Sequence, residues 1–497
     1  MIKLARLLPH SPFPLPDVAI SGLKLDSRKV TSGDAFIAVP GYETDGRDYI
    51  PAAISAGASV VLADMDEWTH GELDGVPLIG VPQLKQQVSA IAGAFYQHPS
   101  RRMRLIGVTG TNGKTTVSNL AAQLWQQLKP EAAVLGTIGS GLLKQLLPEK
   151  NTTPDAVTVQ HRLAGFLAEG AQVVAMEVSS HALVQGRVEA LNFDTAVATN
   201  ISRDHLDYHG SMAAYEAAKK RLFTDFTARV QILNADDPKV AAWQQPGTLW
   251  FSLDAQRIGQ PRTLVAKNIQ YKHDGTGFTL VWSGHEADAS QVEEIDVKTS
   301  LLGDFNVANV LAASLTVLGA GYALADVAGL IASLQAVPGR METFGSAKQP
   351  LVLVDYAHTP DALEQVLVAA RRHCTGKLWC VFGCGGDRDR GKRPQMGAVA
   401  ARLADVVVVT DDNPRTEEPE QIIADIVSGM SSDGHSPANY HAHPGRADAV
   451  KWAIRQAQVG DVVVCAGKGH EDYQIIGRKT VAYDERQWVQ DVLGGRV

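Results

Sequence analysis

Between the apolar run Leu105-Ile106-Gly107-Val108 and a helical pattern stands Gly107-Val108-Thr109-Gly110-Thr111-Asn112-Gly113-Lys114-Thr115-Thr116, which constrains the fold more than any other stretch. A glycine-lined loop that leaves a strand and opens a helix turns backbone N–H groups toward phosphate oxygens. Only the strand–loop–helix unit of a parallel α/β sheet holds it so. Lys114 adds a point charge for the β- and γ-phosphates, and the Thr115 hydroxyl is placed for Mg²⁺. Val108 stands where G-x-x-x-x-G-K-[ST] has its first glycine, so only the short core of that pattern is present.

The surroundings agree with a parallel sheet. Apolar segments at Ala132–Leu135, Val173–Val178, Thr195–Ala198 and Val230–Leu233 alternate with helical patterns. Residues 262–298 differ: β-branched runs flank Asp274-Gly275-Thr276-Gly277, as in an antiparallel ribbon, and helices around Asn306–Leu318 and Leu324–Leu334 follow. A third series, Leu351–Val354, Leu378–Phe382, Val406–Val409 and Val462–Cys465, begins after Val337-Pro338-Gly339 and predicts a doubly wound sheet. Before all of these, residues 1–100 alternate short strands with two helix-like stretches, and the polar His98–Arg102 segment closes them. The expectation is an α/β protein of three domains: a small α/β module at 1–100, a central phosphate-loop ATPase-like sheet at 101–337, and a Rossmann-like doubly wound domain at 338–497.

Length supports that division, since 497 residues exceed one core at ~100–200 residues per domain. A net charge of −8 offers no uniform attraction for nucleic acid or anionic lipid. No apolar run approaches the ~20 residues that span a bilayer. The opening Met1–Pro9 is interrupted by Arg6 and Pro9, which predicts no export signal. Cys374, Cys380, Cys384 and Cys465 lack C-x-x-C spacing and read as free thiols in buried strands or their ends, in a reducing compartment.

Polar segments follow the strands at the ends where ligands bind in open α/β sheets. Glu177-Val178-Ser179-Ser180-His181 offers a hard oxygen for Mg²⁺ at Glu177, and in Asp204–Gly210 His205 could ligate a second ion or meet the γ-phosphate. No guanine-selective N-K-x-D-like segment follows, which favours ATP. In Gly303–Asn309 the asparagines could cap a helix or contact a nucleotide. Further on come Asp355–Asp361, Gly383–Lys392, Thr410-Asp411-Asp412-Asn413-Pro414-Arg415 and Ala466–Glu471. Arg415 presents a planar fork suited to a carboxylate, and Glu471 could accept from an amine.

In this order the motifs resemble the Mur ligase family, ATP-dependent enzymes that build the peptide stem of bacterial peptidoglycan, and the likeness runs along the whole chain. Asp412-Asn413-Pro414-Arg415 matches the D-N-P-R motif of the branch that adds meso-diaminopimelate to UDP-N-acetylmuramoyl-L-alanyl-D-glutamate. The extra carboxylate of diaminopimelate, absent from lysine, is what Arg415 would pair with. The resemblance implies ATP at Gly110, Thr111, Asn112, Gly113, Lys114, Thr115 and Thr116. It implies catalytic roles for Lys114, Glu177, His205, Lys219, Asn309, Arg340 and Asp355. Mg²⁺ would be held by Thr115, Glu177, His205 and, once carbamylated, Lys219; without the family, Lys219 reads as an exposed helix lysine.

The UDP-sugar would contact Leu25, Ser27, Tyr42, Glu43 and Thr44, and its peptide Asn151, Thr152, Thr153, Ser179, Gln185 and Arg187. Diaminopimelate would be held by Arg388, Asp412, Asn413, Pro414, Arg415, Gly467 and Glu471. The implied chemistry is ATP-driven activation of the D-glutamate γ-carboxylate as an acyl phosphate, captured by the amine, in a cytoplasmic, monomeric enzyme. Rival readings are a lysine-adding or folylpolyglutamate-type ligase and a non-catalytic nucleotide switch.

Overall fold

The computed structural model describes residues 1–42, 44–284, 292–346, 348–430 and 440–495. The chain divides into two compact units, Met1–Trp250 with Leu315–Ala320, and Phe251–Ser314 with Gly321–Val497.

Two larger sheets and the short antiparallel pair Ile2–Lys3 with Ala19–Ile20 lie in the first unit. The N-terminal one is five-stranded in the order Gly22–Lys24, Asp34–Ala38, Val60–Met65, Val76–Pro82, Thr69–Leu73. All its pairs are parallel except the last, where Asp74 and Gly75, both at positive φ, make the tight hairpin turn. The second sheet runs Gly139–Leu142, Ala132–Gly136, Val173–Glu177, Arg104–Thr109, Thr195–Ala198, Val230–Asn234. It is parallel apart from Gly139–Leu142. Val108 pairs with Glu177 on one side and Val197 on the other, so Thr109, Glu177 and Ala198 end along one edge. Arg104–Thr109 is the first strand and lies central, with the chain later building outward on both sides of it. Its C-terminal end is therefore a topological switch point, where a crevice opens.

In the second unit Thr263–Lys272, Gly275–Ser283 and Val292–Thr299 form the expected antiparallel ribbon. The six-stranded sheet runs Glu342–Phe344, Leu351–Asp355, Val462–Ala466, Leu378–Phe382, Val406–Val409, Tyr440–Ala442, parallel after its first strand. Alternate side chains go to opposite faces. Leu353, Cys380, Phe382 and Val464 pack with residues of helices Pro360–Arg372, Lys392–Leu403 and Pro419–Met430. Val354, Val381, Val408 and Cys465 pack with Arg446–Gln456 and Glu485–Leu493. That is the doubly wound arrangement anticipated from the four apolar runs.

Two expectations need correcting. Cys374 is neither in a strand nor fully buried; it follows helix Pro360–Arg372 and is half-buried. Asn306 and Asn309 lie inside helix Asp304–Leu318 rather than at its cap, and Asn306 donates its Nδ2 back to the Leu302 carbonyl at 2.9 Å.

Candidate functional site

The glycine loop sits at the switch point and helix Lys114–Gln127 starts from it. At Gly110, φ is +144° and a Cβ would lie 1.9 Å from Thr199 Oγ1, so no side chain fits where the backbone must turn. Asn112 N donates to Asn200 Oδ1 at 3.0 Å, and Thr199 Oγ1 bonds the Asn112 carbonyl. The loop is thus pinned by the turn after strand Thr195–Ala198. Lys114 Nζ folds back onto the carbonyls of Gly110 (3.0 Å) and Thr111 (2.8 Å).

Glu177 ends its strand 1 % exposed. Its Oε2 accepts from Thr115 Oγ1 at 2.9 Å and Thr137 Oγ1 at 3.1 Å, and Oε1 from Thr137 N at 2.7 Å. Carboxylate and helix N-terminal hydroxyl are therefore already side by side. Lys219 is also 1 % exposed, which overturns the exposed-helix reading. Its Nζ donates to the Gly110 carbonyl at 2.7 Å and lies 4.7 Å from the Tyr215 ring centre. Burial, then the Lys114 ammonium, push Lys219 well below the ordinary lysine range.

His205 is half-exposed beside Asp204, its Nε2 3.3 Å from Oδ2. Around it gather His181, His209, Tyr208 and Tyr215, with His181 4.9 Å from His205 and 4.1 Å from Tyr208 between ring centres. Burial, helped by His205 and His209, lowers His181 to about 4. A hydrogen-bonded chain leads away from Glu177. Thr153 Oγ1 donates to the Glu177 carbonyl (2.8 Å), Arg187 NH1 to the Thr153 carbonyl (2.6 Å), and Arg187 NH2 to Gln185 Oε1 (2.6 Å). Gln185 Nε2 then donates to Tyr208 OH (3.1 Å), and Tyr208 OH meets Tyr42 OH at 2.5 Å. Ser179 N donates to Thr153 Oγ1 (3.1 Å), and Thr152 accepts from Thr137 (3.1 Å). Of the residues named for the UDP-sugar and its peptide, this chain gathers Tyr42, Thr152, Thr153, Ser179, Gln185 and Arg187. Leu25, Ser27, Thr44 and Asn151 have no hydrogen bond into it among the described residues, and Glu43 lies outside those residues. Tyr208, which sequence spacing gave no reason to choose, is the link.

The second unit carries another cluster at the C-terminal strand ends. Asn413 Nδ2 donates to Glu471 Oε2 at 3.2 Å, and Lys468 Nζ donates to the same oxygen at 2.6 Å and to Asn413 Oδ1 at 3.1 Å. Arg415, at φ +50°, anchors NH1 on the carbonyls of Gly386 (2.9 Å) and Asn413 (3.5 Å). Its Nε and NH2 make no hydrogen bond to the described residues. Gly467 follows strand Val462–Ala466 beside Asp412, Pro414 is buried, and Arg388 is exposed on the Gly383–Lys392 turn. Nearby, Asp355 accepts from Met341 N (2.8 Å) and Ala357 N (2.7 Å). Burial raises Asp355, opposed by Arg340, whose guanidinium stacks 4.8 Å from the Tyr356 ring centre. Asn309 belongs to this unit, donating to Asn306 Oδ1 at 3.3 Å.

These two sites carry the comparisons with known proteins. Residues 19–96 match the Mur ligase family catalytic domain, 108–317 the Mur ligase middle domain, and 339–469 the Mur ligase glutamate ligase domain. A solved UDP-N-acetylmuramoyl-L-alanyl-D-glutamate--2,6-diaminopimelate ligase is 37% identical, over 100% of this chain and 99% of its own, with a TM-score of 0.71. The fold is shared by the D-alanyl-D-alanyl-adding ligase from Acinetobacter baumannii (18% identity, 94% and 95% covered, TM-score 0.64). It is shared too by Mycobacterium tuberculosis folylpolyglutamate synthase (19%, 77% and 92%, TM-score 0.60). The chain belongs to the Mur ligase family, with that family's three-domain α/β architecture. Its class of activity follows: an ATP-dependent amide-bond ligase of peptidoglycan precursor synthesis. Among the described residues no helix is long and apolar enough to cross a membrane.

Proposed function

We propose that this ligase joins meso-diaminopimelate to the D-glutamate γ-carboxylate of UDP-N-acetylmuramoyl-L-alanyl-D-glutamate, through domains spanning 1–100, 101–337 and 338–497. The observation that carries it is Arg415: with NH1 anchored on carbonyls and Nε and NH2 making no hydrogen bond to the described residues, it can take a carboxylate bidentately. The 37%-identical ligase named for 2,6-diaminopimelate supports the same choice. Asn413 and Glu471 would receive the substrate's polar groups beside it, with Arg388, Asp412, Pro414 and Gly467 shaping the pocket.

In the first step a γ-carboxylate oxygen attacks the γ-phosphorus of ATP and ADP departs, leaving an acyl phosphate. The Gly110–Thr116 loop holds the phosphates, and Lys114 would leave its two carbonyls to meet the charge that spreads over the transferring group. The diaminopimelate amine then attacks the acyl carbon, loses a proton and expels phosphate. Arg340, Asp355, Asn309 and His205 would take the catalytic roles that the family likeness implies. The Tyr42–Tyr208–Gln185–Arg187 chain, with Leu25, Ser27, Glu43, Thr44 and Asn151, would bind the UDP-sugar and its peptide.

The donors present fit Mg²⁺. A hydroxyl and a carboxylate oxygen, Thr115 Oγ1 and Glu177 Oε2, are hard ligands for an ion that completes its shell with water and phosphate oxygens. Among the described residues no three His, Cys, Asp or Glu side chains cluster as a metal site; on this reading His205, and Lys219 once carbamylated, would also contribute to holding Mg²⁺. Mg²⁺ would supply charge neutralisation at the phosphates. On this reading the enzyme would work in the cytoplasm, as a monomer.

Phosphate release with ATP, the UDP-dipeptide and a panel of diamino acids tests the reading. Release above background is expected with diaminopimelate. Equal or better kcat/KM with lysine would overturn it.

A further inference from the structure

Lys468 takes no part in the assignments above, yet it is an enclosed cation beside the amino-acid site, with a side chain 0 % exposed. An enclosed ammonium is costly unless its donors are met. Here Nζ meets Asn413 Oδ1 at 3.1 Å and Glu471 Oε2 at 2.6 Å, with Asp412 Oδ1 at 3.7 Å and the Tyr473 ring centre at 5.3 Å. Every one of these groups lies on the turn or hairpin that frames the site, and two of them, Asn413 and Glu471, are the residues given to the substrate.

The consequences are specific. Asn413 Oδ1 also accepts from Ile475 N at 2.9 Å, so two donors fix which end of the amide is oxygen. Nδ2 is thereby committed to Glu471 Oε2. Lys468 is the only cation bonded to Glu471 among the described residues; Oε1 has just the Tyr356 hydroxyl at 3.5 Å. Two carboxylates, Asp412 and Glu471, share this one ammonium, and Asp412 Oδ1 is buried without a hydrogen bond. Arg446 is the other cation facing Asp412, so Glu471 depends on Lys468 alone for a bonded positive charge among the described residues.

We infer that Lys468 is a positioning residue for the amino-acid substrate: from beneath the site it sets the Asn413 amide and holds Glu471 as a fixed anionic acceptor for the incoming amine. This rests on the reading of the turn as the amino-acid site. It says nothing about which diamino acid enters.

The test uses the full chain, with whichever diamino acid the wild type accepts best, so a panel result favouring lysine would sink the diaminopimelate reading and leave this experiment intact. Lys468→Met removes charge and donors; Lys468→Gln keeps a donor without charge. Loss of a charge-assisted contact predicts a KM for the amino acid about 10- to 100-fold higher in both. The KM values for ATP and the UDP-dipeptide should stay within about twofold, since no contact to either is lost. Equal rises in all three KM values, an unchanged KM for the amino acid in both variants, or loss of folding in both by circular dichroism would each overturn the inference.

Discussion

Gly136→Ala places one methyl group against the buried carboxylate next to the phosphate loop. A Cβ at Gly136 would stand 2.3 Å from Glu177 Oε1 and 2.9 Å from both Cδ and Cγ. Ordinary van der Waals contact lies beyond 3.4 Å, so the carboxylate must withdraw by about 1 Å. That withdrawal cannot keep the 2.7 Å bond from Thr137 N together with those from Thr115 and Thr137 Oγ1. Losing one or two charge-assisted bonds removes about 2–4 kcal/mol of preorganisation, or roughly 30- to 1,000-fold in kcat. Overpacking should cost a further ~1–3 kcal/mol of stability. Gly277→Ala is the control: its nearest neighbours would be 3.8 and 3.9 Å away, and stability should change by less than ~0.5 kcal/mol. Phosphate release at saturating substrates and thermal unfolding give both numbers. A folded Gly136→Ala protein with kcat within about threefold of wild type would refute the role given to Glu177 geometry.

Arg415→Ala should weaken diaminopimelate about 10- to 100-fold while leaving lysine nearly unchanged, read as the ratio of their KM values; equal losses would disprove the carboxylate pairing. Glu417 bonds the enclosed Arg393 at 2.9 and 3.0 Å, and that hydrogen bonding holds its carboxyl at about 2 against an ordinary 4.5. The depressed value stabilises the fold above about pH 4.5, and the contribution is lost as pH falls through about 2. Arg393→Met should therefore lower Tm most at neutral pH, and its Tm gap to wild type should narrow between those two values. Alkylation of the native protein, mapped by mass spectrometry, should label Cys374 first, because Cys380, Cys384 and Cys465 are buried and burial lifts Cys384 to about 12.

Thr195–Ala198, Leu378–Phe382 and Val406–Val409 are legible to the residue because each is an unbroken apolar run between polar turns, the pattern of a strand covered on both faces. The phosphate loop is legible because glycine spacing and Lys114 carry its chemistry locally. Lys219 is not: Lys219 and Lys220 are adjacent in sequence, and only packing around Gly110 and Tyr215 shows which is enclosed. Tyr208 and Tyr42 are 166 positions apart and meet through tertiary structure alone. Asn306 looked like a cap because capping and interior asparagine share one composition. Lys468 stands within the polar segment Ala466–Glu471, but burial, which gives it meaning, has no signature in a glycine-flanked lysine.

The proposed reaction forms an acyl phosphate before the amino acid reacts, and hydroxylamine captures such a species. With ATP, Mg²⁺ and the UDP-dipeptide alone, the wild-type protein is expected to yield ADP and a hydroxamate at the glutamate γ-carboxylate, and Lys114→Met to yield neither. Hydroxamate formed as readily by Lys114→Met, or ADP released by the wild type without the UDP-dipeptide, would contradict carboxylate activation at this loop.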